Sequence, residues 1–201
     1  MKLTKVFLTA LTLLAISAHS QAETQTLVIT DFTQPKEWDV SKWNTAEGRI
    51  ALRPNVPPAL KAATPPVTES LGMKINWPGG EGFRVFSLQP RNEIQLPSGV
   101  TEIRLWLDGS GTKHFCELIL KDANGKRQKI GIAMLTDDGW KQFKKNVAPN
   151  LQQPLTLTAI SFHDWGNPTP GEITTYLSQL EVVVDSSAPQ TNTSTASKDQ
   201  W

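Results

Sequence analysis

Hydrophobic and polar residues alternate with period two through much of the chain. Leu71, Met73, Ile75 and Trp77 alternate with Gly72, Lys74 and Asn76, and Ile103, Leu105 and Leu107 with Glu102, Arg104 and Trp106. Cys116, Leu118 and Leu120 alternate with Glu117 and Lys121, and the run ends at Asn124-Gly125, a dipeptide that favours a tight hairpin turn because both residues tolerate positive φ. The return run carries Ile130, Ile132 and Met134. Asp137-Asp138-Gly139 makes a further turn before Trp140 to Val147; Leu155 to Phe162 follows, and Leu180, Val182 and Val184 close the series that Leu27-Val28-Ile29 opens. Helical periodicity is hard to find. Side chains on a strand alternate between faces, so each of these runs predicts a half-buried strand.

About nine short strands separated by Gly, Pro and Asn turns predict two packed antiparallel sheets, an all-β, jelly-roll-like sandwich. The segment from Arg53 to Pro66 holds five prolines in fourteen residues and is excluded as a central strand; it reads as a surface excursion near one edge. A second irregular loop is expected from Asp164 to Glu172, where Trp165, Pro168 and Pro170 stand close together. Loops of this kind often carry binding in sandwiches.

The two ends depart from this pattern. Lys2 and Lys5 precede an apolar run from Val6 to Ile16, and Ser20-Gln21-Ala22 supplies the small residues of a cleavage site. This is the layout of a secretory signal peptide over residues 1–22, and the run is too short for a membrane span. No cysteine stands near the cut, so no lipid anchor is expected. The sandwich is expected over 23–185. From Ser186 to Trp201 the chain is rich in Ser and Thr with no aliphatic residue larger than Ala, the composition of a flexible tail.

Charge and cysteine content narrow the function classes. The 201 residues carry 20 Lys plus Arg against 19 Asp plus Glu. Removing Lys2 and Lys5 with the leader leaves 18 against 19, too balanced for a protein built to neutralise phosphates, so no nucleic-acid partner is expected. The lone Cys116 excludes an intramolecular disulfide and a cysteine-rich zinc site, and its register with Leu118 and Leu120 places it in the core.

Catalytic groupings are scarce. His114 and His163 are the histidines after the leader and lack the short spacing of a metal motif. His163 adjoins Asp164, but neighbours on a strand face opposite ways, and no Gly-x-Ser-x-Gly elbow supplies a nucleophile. Glu81 and Glu172 lie in separate loops, and nothing brings them to the spacing of about 5–10 Å that a glycosidase requires. No cofactor is expected. A structural calcium stays open, because Asp108, Asp122, Asp137, Asp138 and Asp164 fall at strand ends or turns, although turn geometry alone accounts for Asp there.

The aromatics say more. Six of the seven tryptophans precede the tail: Trp38, Trp43, Trp77, Trp106, Trp140 and Trp165. Trp77 and Trp140 fit core positions. Trp106 lies on the face opposite Ile103, Leu105 and Leu107, and Trp165 sits beside Pro168, Pro170 and Glu172. These five residues, Trp106, Trp165, Pro168, Pro170 and Glu172, are candidates for contact with a partner protein or a glycan, since exposed indole rings serve both.

From Thr101 to Asp185 the chain resembles the outer-layer, or sheath, proteins of spirochaete periplasmic flagellar filaments. The resemblance rests on an ordered series: Ile103-Arg104-Leu105-Trp106-Leu107-Asp108-Gly109, Glu117 to Lys126, Gly139-Trp140-Lys141-Gln142-Phe143, Leu151-Gln152-Gln153, Leu157 to Phe162, Pro170-Gly171-Glu172 and Tyr176 to Val182. It implies a non-enzymatic coat subunit in the periplasm, with core flagellin, other sheath proteins and further copies of itself as partners. Such coats influence filament shape and motility. No catalytic residues carry over, and the Pro-rich segment and the tail match nothing in that series. The same body plan also resembles carbohydrate-binding modules, exported sandwiches with exposed aromatic platforms. Sheath subunit and sugar-binding module therefore stand as alternatives.

Overall fold

The computed structural model describes residues 24–43, 47–77, 82–109, 111, 113–165 and 171–185. The expected leader and tail, together with Glu81, Pro168 and Pro170, lie outside the described residues. Twelve strands are found among the described residues: β1 (Thr24–Thr30), β2 (Trp38–Trp43), β3 (Glu47–Arg53), β4 (Ser70–Trp77), β5 (Phe83–Pro90), β6 (Ile94–Gln95), β7 (Val100–Asp108), β8 (Phe115–Lys121), β9 (Arg127–Met134), β10 (Trp140–Asn146), β11 (Thr156–Trp165) and β12 (Gly171–Asp185). They form two antiparallel sheets. One runs β10-β7-β12-β4-β3, with β1 also on β12; the other runs β2-β5-β11-β8-β9, with β6 on β11. The all-β sandwich expected from the alternation is the observed architecture.

The alternating positions meet between the sheets. Leu71, Met73, Ile75, Ile103, Leu105 and Leu107 from the first sheet are fully buried, as are Phe86, Leu88, Cys116, Leu118, Leu120 and Ile160 from the second. Each such aliphatic or aromatic side chain contributes about 1.5–3 kcal/mol by leaving water. Trp77 is 1% exposed, and its ring stacks on His114 with centroids 4.6 Å apart.

Four expectations need correction. The strands exceed nine because β2, β3, β5 and β6 carry weak alternation. Met134 does not face the core: the register between β8 and β9 shifts at Cys116/Glu117, and beyond the shift Met134 pairs with Phe115 and is 47% exposed. The loop expected from Asp164 to Glu172 is shorter, since Asp164 and Trp165 end β11 while Gly171 and Glu172 begin β12. Trp140 is only partly buried, and its indole Nε1 donates to Asn55 Oδ1 at 3.0 Å.

That last bond shows what the Pro-rich segment does. It follows β3, an edge strand, makes one helical turn at Pro58–Lys61, and buries Leu60. Asn55 ties it to three strands. Its side chain accepts from Trp140 of β10 and donates to Asp108 Oδ2 of β7 at 3.4 Å, and its carbonyl accepts from Ser70 Oγ of β4.

Candidate functional site

The outer face of the first sheet gathers the chemistry left over from the core. With Ile103, Leu105 and Leu107 turned inward, β7 presents Glu102, Arg104 and Trp106 to the other side. Trp106 is partly buried there, and its indole N–H has no acceptor among the described residues. Across the backbone from Trp106 stands Gln142 of β10, whose Nε2 donates to Glu181 Oε2 of β12 at 3.1 Å. Burial raises the Glu181 carboxyl above its usual range, with Arg104 and Lys144 opposing. The Tyr176 ring of β12 has its centroid 6.2 Å from that of Trp140 on edge strand β10, so an indole and a phenol ring meet on this face.

Toward the β3 edge the face becomes basic. Arg49 pairs across the backbone with Lys74, Ala51 with Gly72, and Lys74 with Thr174. Glu172 forms an ion pair with Lys74. Two adjoining hollows, about 260 and about 450 Å³, share Arg49 and Lys74; the first also touches Arg53, Gly72 and Tyr176, and the second Glu47, Asn76 and Glu172.

The outer face of the second sheet has a different character. His163 Nε2 lies 2.8 Å from Glu117 Oε1, and Lys129 Nζ reaches the same carboxylate at 3.1 Å. Phe83 flanks the His163 ring at 5.1 Å. Ser87 and Ser161 share a hydrogen bond of 2.7 Å. Burial pushes His163 below the ordinary histidine range, Glu117 opposes that shift, and Lys129 reinforces it. His163 lies on β11, and its acidic partner is Glu117. The neighbouring Asp164 points the other way and meets Arg84 at 3.2 Å, both side chains nearly buried. Period-two geometry accounts for that split.

Of the five residues singled out in the sequence, Trp106 and Glu172 share the outer face of the first sheet. Trp165 ends β11 in the other sheet, across the backbone from Phe83; Pro168 and Pro170 lie outside the described residues. Sequence reasoning missed Arg49, Arg53, Lys74 and Tyr176, because β3 was not recognised and so its basic residues had no neighbours. Of the five aspartates weighed for calcium, Asp108, Asp122, Asp137 and Asp164 are each engaged by protein groups. Asp122 closes its own turn: burial opposes ionisation, but the backbone N–H of Lys126, the amide of Gln128 and the N–H of Asn124 outweigh it and hold the carboxyl below its usual range. Asp137 pairs with Lys141, and Asp108 accepts from Asn55. Among the described residues no three His, Cys, Asp or Glu gather as a metal site.

Comparison with known proteins adds the following. No family model matches the chain. A protein of Brachyspira hyodysenteriae described as flagellar filament outer layer-like is 28% identical over 83 residues, 41% of this chain and 38% of that protein. The match thus spans well under half the length of that curated relative. Among solved structures, the enzymatically active domain of bacteriophage CBA120 tailspike protein 4 is similar with a TM-score of 0.51 at 13% identity, over 77% of this chain and 20% of the tailspike chain. A family 11 carbohydrate-binding module of Clostridium thermocellum, in complex with a mixed-linked tetrasaccharide, gives 0.48 at 12% identity, over 78% of this chain and 94% of the module. At such identities the likeness is one of fold. The chain is a two-sheet antiparallel sandwich that resembles, over part of its length, a flagellar filament outer layer-like protein.

Proposed function

We propose that this protein is a non-catalytic sheath subunit of a periplasmic flagellar filament, exported by a cleavable leader and laid over a flagellin core beside other sheath proteins. The observation that carries this reading is the likeness over 83 residues to the outer layer-like protein of a spirochaete. The architecture is compatible with it. A coat subunit needs broad, rigid surfaces, and the sandwich offers two outer sheet faces, one bearing Trp106, Trp140 and Tyr176. Partly buried aromatic side chains of this kind anchor protein interfaces. Removing the gene from its native cell tests the reading: filament curvature and swimming change before growth on polysaccharide does. Unaltered filaments and swimming, with impaired growth on a polysaccharide, overturn it.

The second reading, an exported carbohydrate-binding module, draws on the paired hollows between β3, β4 and β12. Filament binding and glycan binding separate the two. A sheath subunit associates with filaments free of added glycan, whereas a module binds a defined glycan with no filament present.

A further inference from the structure

The basic end of the outer face poses an electrostatic problem. Arg49 and Lys74 stand directly opposite each other on neighbouring antiparallel strands. Side chains in that relation approach to about 5 Å at Cβ, and like charges there are destabilising. Arg53 adds a third cation on the same face, four residues beyond Arg49 along β3. Glu172 answers Lys74. Arg49 and Arg53 make no ion pair among the described residues, although Arg53 reaches the carbonyl of Leu52. The hollow that Arg49, Arg53 and Lys74 border has no carboxylate in its wall.

Its shape is built as well as its charge. Gly72 and Ala51, paired across the backbone, form a floor without bulky side chains, and Tyr176 pairs with Gly72 from the other flank. A Cβ at Gly72 would meet Arg53 Cγ at 2.8 Å and Tyr176 Cε1 at 3.4 Å, so the absent side chain is what lets Arg53 and Tyr176 approach. The volume, about 260 Å³, falls below the roughly 300–1,000 Å³ of drug-sized sites and suits one ring-sized residue. The neighbouring hollow, about 450 Å³, continues the groove past the shared Arg49 and Lys74 to Glu47, Asn76 and Glu172.

We infer that this groove is a binding site for an acidic saccharide, with a sugar carboxylate held by Arg49 and Arg53 and its ring against Tyr176. A guanidinium binds a carboxylate through two parallel N–H donors, and a phenol face suits the apolar face of a pyranose. Glu47, Asn76 and Glu172 in the second hollow accept or donate to hydroxyls of the next, uncharged portion of the chain. The inference does not rest on the filament reading, since a site for an acidic glycan serves a sheath subunit and a free module alike.

Calorimetry with the full chain tests it, using trigalacturonate, its methyl ester and polyglutamate as probes. The acid is expected to bind at least tenfold more tightly than the ester, and to weaken as salt rises. Arg49→Gln and Arg53→Gln should each lose at least tenfold, while Lys36→Gln, at an exposed position in a different segment, changes nothing. These arginines are exposed, so their variants keep the native circular dichroism. Equal binding of acid and ester, no binding of the acid at millimolar concentration, or an Arg49→Gln variant that binds as well as the parent overturns the inference. Polyglutamate binding as tightly as trigalacturonate also overturns it, and identifies the groove as a docking site for acidic protein segments.

Discussion

Cys116 is fully enclosed in the core beside Glu117, and burial, aided by that carboxylate, raises its thiol far above the ordinary range. The thiolate is the reactive form, so the folded protein should resist a thiol reagent until denaturant exposes it; rapid labelling of the native state contradicts this. Cys116→Ala removes little volume and should cost about 1–2 kcal/mol. His163 makes stability depend on pH below neutrality. Its folded value lies below the ordinary 6.5, so the unfolded chain takes up its proton first as pH falls. The stability that His163 contributes is whole above that value and declines as pH drops through it toward the folded one. Urea midpoints measured from pH 7.5 to 5 should fall, and His163→Gln should flatten that part of the curve; an unchanged slope excludes the role. Asp164→Ala removes the carboxylate that the buried Arg84 meets and should cost about 3–5 kcal/mol in the same assay.

At the scale of elements, legibility followed regularity. β4, β7 and β8 were readable because every second residue is apolar and fully buried. β12 was only half readable. Ile173, Thr175 and Leu177 lead into a register shift before Leu180, after which Val182 and Val184 continue the inward set with the parity reversed. No local composition announces that shift. β5 is illegible for a different reason: Arg84 occupies an inward position and meets a partner 80 residues away, Asp164, that no local pattern reveals. The Pro-rich segment was read as an excursion near an edge, and it does follow edge strand β3; its tie to β10 through Asn55 is a long-range bond that sequence spacing does not reveal. Asn55→Ala should destabilise by about 1 kcal/mol and shift Trp140 emission to the red as the indole gains water. Unchanged emission and stability mean that the tie is not made in solution.

For the whole molecule, the candidate site was partly legible. Trp106 could be placed outward from alternation alone, and Glu172 was flagged with it, but the basic groove needs β3, β4 and β12 side by side. Those strands are separated by long stretches of chain, and their adjacency is decided by the packing of two sheets. The resemblance to filament coat proteins, by contrast, was readable as an ordered run of short motifs, and the likeness to the Brachyspira protein supports it over a similar length. The coat reading makes the molecule's outer faces, rather than any cleft, the seat of its function. The most direct measurement is quantitative mass spectrometry of flagellar filaments purified from the native cell, with and without the outer membrane stripped away. The account predicts this chain on the filament in a constant ratio to flagellin, beginning at Glu23. Filaments devoid of the chain, with the protein recovered elsewhere in the cell, contradict it.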